Sequence, residues 1–167
     1  MMAAFAAGLE EKMQKDQRIR VLTADLVGSC ALKGIEQTHP EQFINVGIAE
    51  QNMVGIAAGL AREGLLPYTY TFSAFHSMRA CEQVRTDVFY NGLNVKMIGT
   101  HCGVSTGQAG STHFSLEDVG ILRSMPGSVI LVPSDPVSAG KTADVVYRYP
   151  SGVYVRLDRN PLPTLYP

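Results

Sequence analysis

Short apolar runs alternate with helix-forming segments along the whole chain, and this alternation restricts the fold more than any other feature of the sequence. The runs are nearly continuous in apolar residues, which is typical of strands buried on both faces. They lie at 20–24, 43–46, 67–71, 95–99, 128–132 and 152–156. Segments with helical spacing of apolar residues lie at 3–15, 51–62, 74–90, 118–124 and 135–148. The pattern predicts an α/β fold with three layers, in which helices cover both faces of a mostly parallel sheet of about six strands.

The composition predicts one soluble, cytoplasmic domain. The chain has 167 residues, of which 46% are hydrophobic and 17% charged, so it can bury a core within one domain. A net charge of −1 and the lack of a basic stripe argue against nucleic acid as a partner. No stretch reaches the roughly 20 apolar residues that span a bilayer, so we expect no membrane contact. Three cysteines at irregular spacing favour a reducing compartment over a disulfide framework.

Chemically capable side chains follow the ends of the predicted strands, where open parallel sheets bind their ligands. In chain order they are Asp25, Ser29, Glu50, Phe72, Phe75, His101, His113 and Arg159. Taken singly, these residues also have ordinary structural explanations. Glu50 could stabilise the start of a helix through the macrodipole, the phenylalanines could pack in the core, and the arginine could be a surface charge. Spacing alone therefore predicts a pocket at this edge of the sheet without naming its ligand.

The segment 101–117 is the only long stretch without apolar periodicity, and long loops in compact domains tend to be functional. Its residues His101, Cys102 and His113 match no common zinc pattern. Residues adjacent in the chain rarely face each other, which argues against His101 and Cys102 as a nucleophile pair. The glycines between 103 and 110 form neither a P-loop nor a dinucleotide fingerprint. We expect no metal site on this chain.

The stretch 45–53, Asn-Val-Gly-Ile-Ala-Glu-Gln-Asn-Met, places Glu50 between a strand end and a helix. It resembles the signature of the pyrimidine-binding domain of transketolases and their thiamine diphosphate-dependent relatives. Other segments resemble the same family in the same order, namely the turn 25–29, the Phe72–Phe75 pair, the loop from Thr100-His101 to Ser111-Thr112-His113, and the strand ends 132–135 and 156–159. The resemblance covers essentially the whole chain and implies the thiamine diphosphate-binding fold in its pyrimidine-binding form.

The resemblance also implies a role for each candidate residue. Glu50 would be catalytic and would hydrogen-bond the ring nitrogen of the aminopyrimidine of thiamine diphosphate. Phe75, with Phe72 beside it, would stack on that ring, and Asp25 would lie near the thiazolium. The sugar-phosphate substrate would be bound by Ser29, His101, His113 and Arg159. Of these, the serine and the arginine would lie nearest the phosphate.

The family's other half carries a Gly-Asp-Gly motif that helps to hold the metal and the diphosphate, and no such motif occurs here. The chain begins like a true start, so we expect a separate diphosphate-binding subunit, as in split transketolases. Mg²⁺ or Ca²⁺ would be held by that partner and not by this chain. The chain would be inactive alone and would assemble as a homo-oligomer or a heterotetramer. The complex would transfer a two-carbon ketol unit between sugar phosphates, as in the pentose phosphate pathway.

Two positions depart from the family pattern. Ala109 stands where an acid commonly binds a donor hydroxyl, and Met78 stands where an aromatic residue is common near the pyrimidine. Ala109 leaves two alternatives open. One is an enzyme like 1-deoxyxylulose-5-phosphate synthase or a 2-oxo acid dehydrogenase β-subunit, and the other is a non-catalytic assembly partner. We expect the pyrimidine-binding domain to span 1–160, followed by a proline-rich tail or truncated linker at 161–167.

Overall fold

The computed structural model describes residues 1–165, and Tyr166 and Pro167, the end of the expected tail, lie outside the described residues. The helical elements are α1 (Met2–Met13), α2 (Lys33–Thr38), α3 (Glu50–Arg62), α4 (75–90), α5 (Asp118–Arg123) and α6 (Pro136–Arg148). The strands are β1 (Ile19–Thr23), β2 (Phe43–Asn45), β3 (Leu66–Phe72), β4 (Lys96–Thr100), β5 (Ile130–Leu131) and β6 (Val153–Arg156). Within this described part, no helix is long and apolar enough to cross a membrane.

The strands form one sheet with the order β2-β1-β3-β4-β6-β5, and every pairing is parallel. This confirms the predicted α/β fold with a parallel sheet. From β1 the chain moves outward to β2 on one side and, through β3, to β4 on the other. The carboxyl ends of β1 and β3 therefore flank the point where the strand order reverses, which is where such sheets bind ligands. β5 is shorter than the expected 128–132 because it is an edge strand that pairs only with β6.

Helices cover both faces of the sheet, as the alternation predicts. On one face, α1 and α6 pack against the strands through a core that includes Phe5 and Val146. On the other face, α3, α4 and α5 pack through a core that includes Met53, Val88 and Leu122. The short helix α2 lies in the segment expected to be a link between β1 and β2. The three-layer arrangement leaves the carboxyl edge of the sheet to the turns and the loop 101–117.

Helix α4 differs most from the sequence expectation of a regular helix over 74–90. It is wound as two π-helical stretches, Phe75–Arg79 and Val84–Tyr90, around one α-helical turn, Cys81–Gln83. The Ala80 N–H donates to the carbonyl oxygen of Phe75 at 2.9 Å, a bond that spans five residues. A π turn accommodates one extra residue and is frequent at functional sites. Apolar spacing indicates a helix here, but it does not distinguish these two kinds of turn.

Candidate active site

Glu50 is the first residue of α3 and directly follows the turn that leaves β2. Gly47 permits that turn with a φ of +74°, a conformation that favours glycine. The Glu50 side chain is only 3% exposed, and its Oε1 accepts a hydrogen bond from Arg79 Nη1 at 2.7 Å. The acid that the sequence predicts to be catalytic is therefore buried and paired with a cation.

Arg79 is the residue of this site that the sequence reasoning missed. It ends the first π turn of α4, and its guanidinium carbon lies 3.7 Å from the centre of the Phe75 ring. The Arg79 side chain is 46% exposed, so it forms part of the wall between the site and solvent. The signal that could have found it is the four-residue spacing from Phe75, because side chains four apart on a helix are neighbours.

Four rings, from Phe72, Phe75, His101 and His113, form a ring cluster between β3 and the loop 101–117. The two phenylalanines stack with their centres 5.4 Å apart. His101 stacks on Phe72 with centres 4.1 Å apart, and His113 meets Phe72 and Phe75 edge-on at 6.0 and 5.5 Å. The structure thus brings four of the sequence-predicted residues into one connected cluster, and Arg79 contacts both Phe75 in this cluster and Glu50.

Burial keeps His101 neutral near pH 7. The residue is 5% exposed, and its burial, helped by the positive charge of Arg159, lowers its pKa to about 4. His101 Nδ1 lies 3.0 Å from Thr100 Oγ1, and that hydroxyl donates its own proton to the carbonyl oxygen of Thr71. Thr100 therefore orients the neutral ring through its Nδ1 atom.

Asn45 joins the ends of β1 and β2. Its Oδ1 accepts hydrogen bonds from the N–H groups of Asp25 at 3.0 Å and Gly47 at 3.1 Å, and its Nδ2 donates to Asp25 Oδ1 at 3.3 Å. Asp25 is exposed and has a φ of +59°, in the left-handed region. The Asn45 side chain therefore fixes both the predicted thiazolium-side acid and the turn before Glu50. Asn45 is the first residue of the stretch 45–53 that resembles the family, but the sequence alone indicates no role for it.

Ser29 and Arg159, the predicted phosphate ligands, are both exposed. Arg159 follows β6 closely enough for its charge to lower the pKa of His101. Ser29 lies in the turn between β1 and α2 and is not part of the ring cluster. The structure therefore relates Arg159 to the cluster by charge, and Ser29 stays a prediction.

A buried ion pair holds the loop 101–117. Arg156 donates from Nε to Asp118 Oδ2 at 2.8 Å and from Nη2 to the carbonyl oxygen of Ser115 at 3.2 Å. Asp118 is fully buried and also accepts from the Tyr154 hydroxyl at 3.0 Å. Gly103 and Ser115 pair as an antiparallel bridge that closes the loop. Arg156 could have been a surface charge on spacing alone, but its contacts make it the residue that positions the histidine-bearing loop.

The described residues at this edge of the sheet include no cluster of metal-ligating side chains, and their Cys102 is buried. Across residues 1–165, no group of three or more His, Cys, Asp or Glu side chains is arranged to hold a metal ion. The Cys102 side chain is buried, and burial raises the pKa of its thiol. A raised pKa disfavours the thiolate that a nucleophile requires.

A match over nearly the whole chain shows the family of this protein. Residues 1–164 match the sequence profile of the family described as transketolase, pyrimidine binding domain. The chain belongs to this family. The match confirms the resemblance drawn from the stretch around Glu50, and membership of the transketolase family implies dependence on thiamine diphosphate.

Two curated relatives of this transketolase domain are themselves named as subunits. The chain is 44% identical over 153 residues, 92% of its length, to the 6-deoxy-6-sulfo-D-fructose transketolase subunit SqwH of Clostridium sp. (strain MSTE9). It is 39% identical over 163 residues, 98% of its length, to a subunit of the apulose-4-phosphate transketolase of Phocaeicola vulgatus. The matches cover 48% and 52% of those proteins, so the chain spans about half the length of the curated relatives it matches.

Solved transketolase structures share the fold of this domain. A split-gene transketolase described as an inactive β4 tetramer has a TM-score of 0.87 at 35% identity, over 98% of this chain and 53% of that one. The transketolase of Campylobacter jejuni has a TM-score of 0.88 at 25% identity, over 99% of this chain and 27% of that one. These matches confirm the thiamine diphosphate-binding fold in its pyrimidine-binding form.

Proposed function

We propose that this chain is the pyrimidine-binding subunit of a thiamine diphosphate-dependent transketolase, which transfers a two-carbon ketol unit between sugar phosphates. One observation carries the proposal. The Arg79 guanidinium, a flat group with N–H donors, lies on the Phe75 ring and hydrogen-bonds the buried carboxylate of Glu50. An aminopyrimidine needs contacts of the same two kinds, an aromatic face on which its ring stacks and a carboxyl group that hydrogen-bonds its ring nitrogen. The residues at this site therefore fit the pyrimidine end of the cofactor.

Each residue of the site has a defined task in this proposal. Bound thiamine diphosphate supplies a thiazolium carbon that becomes a nucleophile when it loses a proton. Glu50 exchanges a proton with the pyrimidine ring nitrogen, and its burial at 3% exposure keeps water away from that proton. Phe75, backed by Phe72, fixes the plane of the ring. Asp25, held by Asn45, lies on the thiazolium side.

The histidines of the ring cluster, together with the exposed residues Arg159 and Ser29, bind the substrate. His101 is neutral and offers Nε2 to a sugar hydroxyl, and His113 contacts Phe72 and Phe75 in the same cluster. Arg159 and Ser29 bind the phosphate, for which a guanidinium is well suited. Ala109 is exposed in the loop and offers no acid to a donor hydroxyl, so we propose a donor that does not depend on that contact.

A partner must complete the site. The sequence lacks a Gly-Asp-Gly motif, and two relatives that it matches are named as subunits of transketolases. We assign the diphosphate and Mg²⁺ or Ca²⁺ to a separate subunit, and this chain to a homo-oligomer or a heterotetramer. Ile48 and Met78, which neighbour Glu50 and Arg79 in sequence, are 78% and 42% exposed and offer apolar surface to that partner.

The extent and location of the domain are part of the same proposal. We assign residues 1–160 to the pyrimidine-binding domain and 161–167 to a proline-rich tail or truncated linker. The cysteines Cys30, Cys81 and Cys102 are all free, which supports a reducing, cytoplasmic setting.

The test is turnover of the complex with a Gly-Asp-Gly-bearing partner. In Glu50→Gln, ketol transfer should fall by at least about 100-fold, the scale of general acid–base catalysis, while the complex still forms. Glu63→Gln, at the exposed far end of the same helix, is the control and should keep wild-type turnover. Unchanged turnover in Glu50→Gln would contradict the proposal.

Ala109 favours a second candidate, an enzyme like 1-deoxyxylulose-5-phosphate synthase or a 2-oxo acid dehydrogenase β-subunit. A donor panel that compares ketose phosphates with pyruvate separates the two reactions. Turnover with ketose phosphates supports the transketolase, and turnover with pyruvate alone supports the second candidate. A complex that assembles but uses neither donor would identify the chain as a non-catalytic partner.

A further inference from the structure

Glu50, Phe75 and Arg79 form a closed triad where α3 and α4 begin. Arg79 Nη1 donates to Glu50 Oε1 at 2.7 Å, while the guanidinium carbon lies 3.7 Å from the centre of the Phe75 ring. One carboxylate oxygen and the Phe75 face below Arg79 are therefore already in use. This observation goes beyond the resemblance to the family, which singled out Met78 and not Arg79 as the departure near the pyrimidine.

The Arg79 guanidinium and an aminopyrimidine compete for the same two contacts. Both groups are flat and stack on aromatic rings, and both place a nitrogen against the Glu50 carboxyl group, the guanidinium as an N–H donor and the pyrimidine ring nitrogen as the acceptor of a carboxyl proton. Interiors are close-packed, so two flat groups cannot lie on the same ring face and reach the same carboxylate together. Arg79 must leave Glu50 and Phe75 before an aminopyrimidine can bind there.

The exposure of the two partners shows which one can move. Arg79 is 46% exposed and ends the π turn, so its head group can turn into water. Glu50 is 3% exposed, and removing the ion-pair partner of a buried carboxylate is strongly destabilising. Glu50 must therefore gain a new partner as Arg79 departs. A pyrimidine ring nitrogen is such a partner when Glu50 takes up a proton from solvent and shares it with that nitrogen.

We propose that Arg79 is an intramolecular occupant of the aminopyrimidine site and that the affinity of the enzyme for its cofactor is set in part by how readily Arg79 leaves. This inference rests on the proposed function. The closed triad lowers the fraction of binding-competent protein, which weakens apparent affinity by the same factor. Arg79 thus weakens only the binding of ligands that carry the pyrimidine, because a ligand without a flat N-containing ring does not need to displace it.

The test compares two probes on the chain assembled with its diphosphate-binding partner. Thiamine diphosphate carries both rings, whereas hydroxyethylthiazole diphosphate has the same thiazole and diphosphate but no pyrimidine. Arg79→Met keeps side-chain length and removes the charge. We expect it to tighten the binding of thiamine diphosphate about threefold to tenfold, the scale of an ion pair with one exposed partner plus a cation–π contact, and to leave binding of the thiazole probe unchanged.

Rates and a control variant separate this role from a purely structural one. The gain in Arg79→Met should lie in the association rate constant, with dissociation unchanged, because the triad stabilises only the unliganded state. Arg85→Met is the control, since Arg85 lies on the same helix and pairs with the exposed Glu82 at 2.9 Å. It should bind both probes like the wild type.

The outcomes are distinguishable from a failure of the proposed function. Equal or weaker thiamine diphosphate binding in Arg79→Met would overturn the inference, since Arg79 would then be neutral or would help to hold the cofactor. If the wild-type complex bound thiamine diphosphate no better than the thiazole probe, the pyrimidine would contribute nothing. The proposed function itself would then fail.

Discussion

Arg156 Nε lies 2.8 Å from Asp118 Oδ2, and the carboxylate that it holds is fully buried. The pair connects β6 to the start of α5, and through the carbonyl oxygen of Ser115 it reaches the loop that carries His101 and His113. A buried ion pair is weak evidence for stability as such, because desolvation offsets the attraction. Here its geometry instead ties a glycine-rich loop to the sheet at one defined position.

Removing the cation of this pair should be costly. In Arg156→Met the buried Asp118 carboxylate loses its ion-pair partner, so the free energy of unfolding should fall by about 3–5 kcal/mol. Urea denaturation measures the loss. The control is Arg148→Met, which breaks an exposed pair with Asp144 and should cost under about 1 kcal/mol. Equal losses in the two variants would show that Asp118 is not isolated when Arg156 is removed.

The same residues show where sequence reasoning ends. Alternating apolar runs predict the sheet and its two helical layers, because strands that are buried on both faces need apolar residues at nearly every position. The burial of Asp118 and its pairing with Arg156 cannot be predicted in this way, since a charge at a helix start or a strand end is usually exposed. Their pairing depends on the crossing of β6 and α5, which are far apart in the chain, and only the tertiary structure contains it.

Arg79 illustrates the same limit at the candidate site. The sequence identifies Glu50 and the ring residues through their resemblance to a family, and the structure brings the rings into contact. The π turn that directs Arg79 toward Glu50 is a property of backbone hydrogen bonding, namely the bond from the Ala80 N–H to Phe75. The spacing of apolar residues predicts a helix here, but it does not distinguish a π turn from an α turn.

Two glycines offer a packing test in opposite directions. A Cβ on Gly8 would lie 2.9 Å from the Ala143 Cβ, so Gly8→Ala should push α1 and α6 apart and cost about 1–3 kcal/mol. A Cβ on Gly34 would meet nothing within 4 Å in helix α2, so Gly34→Ala should stabilise the protein by about 0.5–1 kcal/mol. Thermal or urea unfolding of both variants checks the signs, and a stabilising Gly8→Ala would contradict the close helix contact.

His76 gives the stability a defined pH dependence. Its ring is fully buried, with Nε2 3.0 Å from Thr69 Oγ1, and burial lowers its pKa to about 3. The unfolded chain has a histidine pKa near 6.5, so between these values the unfolded state binds more protons and stability rises with pH. Stability should therefore be lost as pH falls below about 6.5, by about 2 kcal/mol from this group between pH 7 and pH 5.

The variant His76→Phe isolates that contribution. It removes the titrating ring, so the fall in unfolding free energy between pH 7 and pH 5 should be smaller than in the wild type. The part that remains includes His101, whose pKa of about 4 acts with the same sign. Unfolding curves at the two pH values give the comparison, whatever the absolute stability of the variant. An unchanged difference would mean that His76 is not held neutral by burial.

Asn45 should matter more for turnover than for stability. Its side-chain oxygen accepts from the N–H groups of Asp25 and Gly47, and so it aligns two parts of the site that belong to different strands. Because these bonds are exposed, Asn45→Ala should cost no more than about 1 kcal/mol of unfolding free energy. Misplacement of reacting groups by a fraction of an ångström is costly, so ketol transfer by the assembled enzyme should fall by about tenfold or more.

Asn91→Ala is the control. It removes a comparable exposed hydrogen bond, to the carbonyl oxygen of Thr86, at the far end of α4 and should leave turnover unchanged. Equal turnover in the two variants would show that Asp25 and the turn before Glu50 hold their positions without Asn45.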